Sequence, residues 1–293
     1  MGNDLDFSCE GAPRDLGREL GLAFRERVRA RVGQRSWRER LSDGVGLPDG
    51  PVAGWLQDVR RHFPHQHEWL EGLARAVELP LQAVARTSMA VLEAERDAVL
   101  VGAELEGSLR LWRRVPATAL PRRVQPEGRF VSLELGAAIL TTPWIGVNDQ
   151  GLALAIAGGA KPGRGRSAHG GLFARDCLER FDALDSALDW CAGRPAAPGA
   201  ALVLADAAGG LAGISLEVDG RPLRYAQDGV LVLGEDPAAA DALEQELRKL
   251  RGDAVAFEAR VREALVGQGT DRLASVDAKA RRLLRDGGVT ALD

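Results

Sequence analysis

GVNDQGLALAIAGG (146–159), GGLFARDCLERFDALDSALDWCAG (170–193) and AALVLADAAGG (200–210) follow one another in the middle of the chain. Their pattern decides the fold class. The run 144–147 (WIGV) is short and apolar, and Asn148-Asp149-Gln150-Gly151 is a turn signal. Leu152, Leu154 and Ile156 then alternate with alanines at period two, as in a half-buried strand. After the Gly158–Gly165 loop the period changes. Leu172, Phe173, Cys177, Leu178 and Phe181 share one helical stripe. Leu184, Ala187, Leu188 and Cys191 continue it in a second helix, ended by Gly193 and Pro195. Leu202 and Leu204 open another strand, and 206–210 turn the chain.

Upstream, Leu16, Leu20, Phe24 and Val28 repeat every four residues, predicting one amphipathic helix within 10–33. Gly17 and Gly21 lie on a neighbouring stripe, where missing side chains allow close packing. A loop is expected over 42–51. Helices follow around Val52–Phe63, around Trp69–Val77, and from Pro80. DAVLVGAEL (97–105) reads as a short buried strand, and 106–128, rich in Arg, Pro and Gly, as an excursion. Val131, Leu133 and Leu135 alternate with Ser132 and Glu134. LAGISLEV, RPLRYA and GVLVLG (211–234) predict three strands joined at Asp219-Gly220 and Asp228-Gly229. Residues 236–266 and 271–286 read as amphipathic helices.

The chain has 293 residues with 45% hydrophobic content, enough for one large domain. The expected organisation is an N-terminal helical segment, 1–95, packed on a core of 96–293. Thirty-eight Lys+Arg against 42 Asp+Glu give a net charge of −4, so no basic excess points to nucleic acid. The excess of Arg over Lys fits a GC-rich, bacterial genome. No apolar run reaches the roughly 20 residues of a membrane helix, and MGNDLDFSCEG lacks a signal-peptide pattern. Three cysteines without metal spacing predict no disulfide framework, so a reduced, cytoplasmic protein is expected. Cys177 and Cys191 read as buried small hydrophobes. His62, His65 and His67 invite a metal hypothesis, but Pro64 interrupts their helix and no further ligand completes a site. His169 reads as a solvated loop residue.

Gly146, Asn148, Gly151, Leu152, Arg175, Leu178, Glu179, Asp206 and Gly209 together follow G-[mv]-N-x-x-G-L-a, l-x-x-R-x-x-L-E and l-x-D-x-x-G. Gly11, Pro13, Gly17 and Gly21 follow G-x-P-x-x-x-G-x-x-x-G, and Gly72, Leu73, Ala74, Leu79 and Leu81 follow a further helical element. In this the chain resembles the acyl-CoA:6-aminopenicillanate acyltransferase-like, or C45 peptidase, family of N-terminal-nucleophile (Ntn) hydrolases. The resemblance implies an α+β fold, a four-layer αββα sandwich of two antiparallel sheets between helical layers. It also implies chemistry on acyl C–N bonds by a self-cleaved, N-terminal Cys whose amine serves as its own base. That Cys stands some fifteen residues before a v-l-v-G-R-N-x-D strand, and a later T-N-H run helps form the oxyanion hole.

The chain departs from the pattern at each chemical point. No Cys lies between Cys9 and Cys177. VLVG (99–102) is present, but R-N-x-D reads Ala103-Glu104-Leu105-Glu106. Either Arg86-Thr87-Ser88 replaces the C-T-S run, or 80–93 is a helix and the nucleophile strand is largely deleted. The unbroken helical pattern favours the second. LVLGED (231–236) stands where the T-N-H run would be. Thr87, Ser88 and Cys9 are the remaining candidate nucleophiles, each better read as a structural residue. The expectation is a non-catalytic relative that binds a small acyl-amide or peptide-like ligand, or a partner protein. A homo-oligomer or an active paralogue is a further expected partner. Glu106, Asn148 and Arg175 are the candidate ligand-binding residues, and no cofactor, metal, nucleic acid or membrane is expected. The rival is an active amidohydrolase or acyltransferase with Thr or Ser as relocated nucleophile.

Overall fold

The computed structural model describes residues 7–34, 50–94, 98–158, 170–195, 198–217, 220–266, 270–285 and 288–292. Strand β1 (Phe7–Gly11) opens the chain, followed by helices α1 (Pro13–Ala23), α2 (Arg25–Gly33), α3 (Gly50–His62), α4 (Pro64–Val77) and α5 (Leu81–Ala94). Six strands come next: β2 (Leu100–Leu105), β3 (Ser108–Val115), β4 (Leu120–Pro126), β5 (Ser132–Gly136), β6 (Ile145–Asn148) and β7 (Ala153–Gly158). Helices α6 (Gly171–Arg180) and α7 (Leu184–Gly193) precede β8 (Ala200–Ala205), β9 (Leu211–Leu216), β10 (Leu223–Tyr225) and β11 (Val230–Leu233). The chain closes with α8 (Pro237–Leu250), α9 (Ala254–Leu265), β12 (Arg272–Asp277), β13 (Arg282–Arg285) and β14 (Gly288–Ala291).

The strands form two sheets. One runs β1-β4-β5-β6-β7-β8-β9-β10 and the other β11-β2-β3-β12-β13-β14. Every pairing is antiparallel except β1 with β4. The sheets stack face to face: Leu111, Leu231, Ala274 and Val276 join Leu154, Val203 and Ile214 in one buried core. Helices α6 and α7 cover the outer face of the first sheet, with α1 and α4 beside them. Helices α8 and α9 cover the second, where Trp112 meets Phe257 at 5.6 Å between ring centroids. The molecule is therefore the expected four-layer αββα sandwich, and 146–157 is the expected hairpin under a helix pair. Phe63, Phe173 and Trp190 lock the start of α4 to α6 and α7, with ring centroids 5.2–6.2 Å apart.

The glycine stripe works as expected. A Cβ at Gly17 would lie 1.9 Å from the Trp69 carbonyl oxygen, and one at Gly72 would lie 2.0 Å from that of Arg14. The α1 and α4 backbones touch, which only glycine permits.

Several readings are corrected. The helix expected within 10–33 breaks at Phe24 (φ −120, ψ 25), so α1 and α2 are separate. The N-terminal segment is not purely helical, because β1 adds to the first sheet with Cys9 buried beside Val124. The excursion at 106–128 is two strands. On β3, Leu109, Leu111 and Val115 face the inter-sheet core while Trp112 faces the helices. Arg113 breaks the apolar alternation and disguises the strand. Within 271–286 the described residues form two strands, 272–277 and 282–285, not a helix: Leu273 packs toward α8 and α9, Ala274 and Val276 toward the other sheet. Leu273, Val276, Ala280 and Leu283 mimic helical spacing by chance. Of the loop expected over 42–51, residues 42–49 lie outside the described residues and Gly50 and Pro51 already open α3; the expected loop beyond Gly158, Asp219 and His169 also lie outside the described residues. Among the described residues, no helix is long and apolar enough to cross a membrane.

Candidate functional site

The motif residues of the central stretch converge on a buried polar cluster. Helix α6 carries Arg175 on the face turned to the first sheet, where Glu134 projects from β5. Arg175 donates from Nη1 and Nη2 to the two Glu134 oxygens at 2.7 and 2.5 Å, and from Nε to the Thr141 carbonyl at 2.9 Å. Arg122 on β4 donates from Nε to Glu134 at 3.0 Å and from Nη1 to the Leu140 carbonyl at 2.8 Å. The Ser132 hydroxyl donates to Glu134 at 2.7 Å, and the Trp69 ring lies 4.6 Å from the Arg175 guanidinium carbon. Arg122, Glu134 and Arg175 are at most 1% exposed. Such a planar fork is the strong form of ion pair, and the carbonyls satisfy donors that would otherwise be stranded. Burial pushes the Glu134 carboxyl up, but Arg175 and Arg122 outweigh it and hold it below the usual range. Glu179, one helical turn after Arg175, is pushed up to about 7 by burial, against the pull of Arg175 and His65.

This cluster builds the scaffold. Asn148 is fully buried: its Oδ1 accepts from the Gln150 and Leu152 amides, and its Nδ2 donates to the Leu178 and Phe181 carbonyls. It closes the β6–β7 turn and ties it to the end of α6. Asp206 accepts from the Leu184 amide at the start of α7 and from the Gly210 amide, joining a helix start to the β8–β9 turn. Glu106 is displaced from this group. It stands exposed in the β2–β3 turn at φ 53, next to Gly107 at φ 75. The structure thus anchors both Asn148 and Arg175 through helix α6 and sets Glu106 apart, on a hairpin tip of the other sheet.

The candidate nucleophiles are held elsewhere. Thr87 and Ser88 lie mid-helix in α5 and are buried. The Thr87 hydroxyl donates to the Ala83 carbonyl, and that of Ser88 to the Ile139 carbonyl, both at 2.9 Å. Burial raises the Cys9 thiol to about 12 despite nearby Arg122 and Arg175, so it stays protonated and unreactive. Cys177 and Cys191 are buried thiols 3.6 Å apart. His65 Nε2 lies 2.7 Å from Asp176, while His67 faces Glu71 at 3.7 Å. Among the described residues no group of three or more potential ligands could hold a metal.

The open site lies at one end of the sandwich, between the sheets. A cavity of about 560 Å³ is bounded by Ala98 just before β2, by Ala157 and Gly158 ending β7, and by Gly199 and Ala200 opening β8. Ser215 and Glu217 close it on one side, and Leu233, Gly234 and Glu235 after β11 on another. Arg224 reaches its rim but is engaged by Asp241 and Glu244, each at 3.1 Å. Sequence reasoning missed this cavity. Most of its walls are small or apolar residues far apart in the chain, brought together by the meeting of five strand ends.

Three of the solved structures to which the chain is similar illustrate the likeness. One is a Caenorhabditis elegans N-acylethanolamine-hydrolyzing acid amidase ortholog, with TM-score 0.48 and 13% identity, covering 62% of this chain and 93% of that one. The second is a mutant of conjugated bile acid hydrolase from Clostridium perfringens, with TM-score 0.48 and 11% identity over 67% and 92%. The third is penicillin V acylase from Agrobacterium tumefaciens, with TM-score 0.42 and 12% identity over 64% and 82%. No family model and no curated protein matches the chain. At these values the chemistry of the site is read from this chain's own residues.

Proposed function

We propose that this chain is a non-catalytic binder of a small acyl-amide or peptide-like molecule on an Ntn-hydrolase-like scaffold. One observation carries the reading: among the described residues, the cavity between the sheets holds no nucleophile paired with a base. Among the described residues its lining contains no Cys, His or Lys, and Ser215 is the one hydroxyl there. A serine needs an adjacent base to attack an amide.

The strand layout supports the same reading. Residues 81–94 form α5, as the favoured alternative of a helix over 80–93 expects, and β2 pairs with β11 on one side and β3 on the other. In the resembled pattern the Cys stands some fifteen residues before the strand that carries the Arg. Arg113 on β3 is buried, and on the present reading β3 rather than 99–106 stands for that strand, with Ala98, just before β2, at the place of the thiol. Arg113 donates to the Trp144 and Ile156 carbonyls, holding the two sheets together at this end. The T-N-H place is Leu233-Gly234-Glu235, which gives the cavity wall no amide side chain. A pocket of this size still offers shape and a few polar groups, which is what binding needs.

The test is a panel of chromogenic acyl-amides and thioesters, assayed for turnover and for thermal stabilisation. The expected result is no turnover with a rise in melting temperature for at least one compound. Turnover that a Ser215→Ala variant loses would favour the rival, an amidohydrolase with a relocated hydroxyl nucleophile.

A further inference from the structure

We propose that a second cavity, on the β3–β12 side of the molecule, binds an amphiphile with an oxyanion head group. It encloses about 720 Å³, within the usual range for small-molecule sites, and shares no lining residue with the first. Its walls are α2, the end of α5, and the loops after β3 and β5. Val28, Val91 and Ile139 give it an apolar lining. Arg27 and Arg31, one turn apart on α2, and Arg272 at the start of β12 line it too, and among the described residues no carboxylate does.

These three arginines differ from their neighbours. Arg25 and Arg29, on another face of α2, both pair with Glu78. Arg114, near Arg272, pairs with Asp271 at 3.4 Å. Arg27, Arg31 and Arg272 have no acidic partner among the described residues. Arg27 lies over the Phe24 ring at 5.6 Å, and Arg31 reaches only Gln34, at 3.4 Å. Trp144 also lines the cavity. It is 3% exposed, yet its indole N–H has no acceptor among the described residues. A buried N–H without an acceptor is costly, and a ligand oxygen would relieve it. Guanidinium forks match carboxylate and phosphate oxygens, while the apolar wall matches a hydrocarbon or aromatic tail. A concave, partly apolar site on a chain of net charge −4 suits a small amphiphile rather than a nucleic-acid backbone.

The experiment is calorimetric titration of the full chain with decanoate, decyl phosphate, decanol, acetate and inorganic phosphate, below any micelle threshold. Saturable 1:1 binding is expected for decanoate, decyl phosphate or both, and the tighter of the two assigns the head group. Decanol, acetate and inorganic phosphate should bind at least about tenfold more weakly, since each charge-assisted hydrogen bond contributes about a factor of ten. Arg31→Gln with Arg272→Gln changes two exposed side chains without acidic partners, so folding should persist while anion binding falls roughly a hundredfold. Ala138→Trp, which fills the cavity, should abolish binding, whereas Ala98→Trp in the first cavity should leave it unchanged. Equal binding of decanol and decanoate, indifference to the double arginine change, or loss on Ala98→Trp alone would overturn the proposal without touching the reading of the first cavity.

Discussion

Neutralising Glu134 would leave Arg122 and Arg175 sealed in the protein with no counter-charge. Breaking a buried pair from one side costs about 3–5 kcal/mol. Glu134→Gln should therefore lower the unfolding free energy by that amount, read from the denaturant midpoint. A midpoint unchanged within error would mean that the cluster is not the scaffold element described above. Glu179 gives a pH signature of the opposite kind. Its folded pKa, about 7, lies above the ordinary 4.5, so the native state holds the extra proton between those values. Stability must then fall as pH rises from about 4.5 to about 7, by on the order of 3 kcal/mol at most. Glu179→Gln should remove that fall, seen by comparing unfolding curves at pH 5 and pH 8. Arg175 was legible in the sequence because its spacing to Leu178 and Glu179 is regular. Its partner was not: Ser132 and Glu134 look like the watered side of an alternating strand, and only the helical layer above them shows that side to be sealed. Glu106 stands apart from both, a carboxylate that the β2–β3 hairpin turns to solvent.

At the scale of elements, the α1–α4 contact is the most exacting. Gly17→Ala or Gly72→Ala would drive a methyl group into a carbonyl of the facing helix, with no flexible side chain to yield. Overpacking of this kind costs about 1–3 kcal/mol or more. Gly33→Ala, at the end of α2 with nothing within 4 Å of the new methyl, is the control, expected to be neutral or stabilising by up to about 1 kcal/mol. Equal destabilisation by all three would contradict the close-packing account. The glycine stripe, the β6–β7 hairpin and the α6–α7 pair were readable because each follows one clean period. The strands β3 and β12 were not. Arg113 occupies a core-facing position on β3, and β12 is buried on both faces, so the simple period-two contrast vanishes.

For the molecule as a whole, the residues that make the sequence resemble an acyl-transferring family are those that build its scaffold. Asn148 and Asp206 hold turns and a helix start, and Arg175 ties α6 to β5 through Glu134. The strand ends around the first cavity bring Ala98, Ser215 and Gly234 to its wall. The most direct measurement is denaturing mass spectrometry of the purified protein before and after incubation with a reactive thioester. The account predicts one chain of 31.3 kDa in both samples, uncleaved and without an acyl adduct. Two fragments divided near the head of β2, or an adduct that disappears in Ser215→Ala, would contradict it.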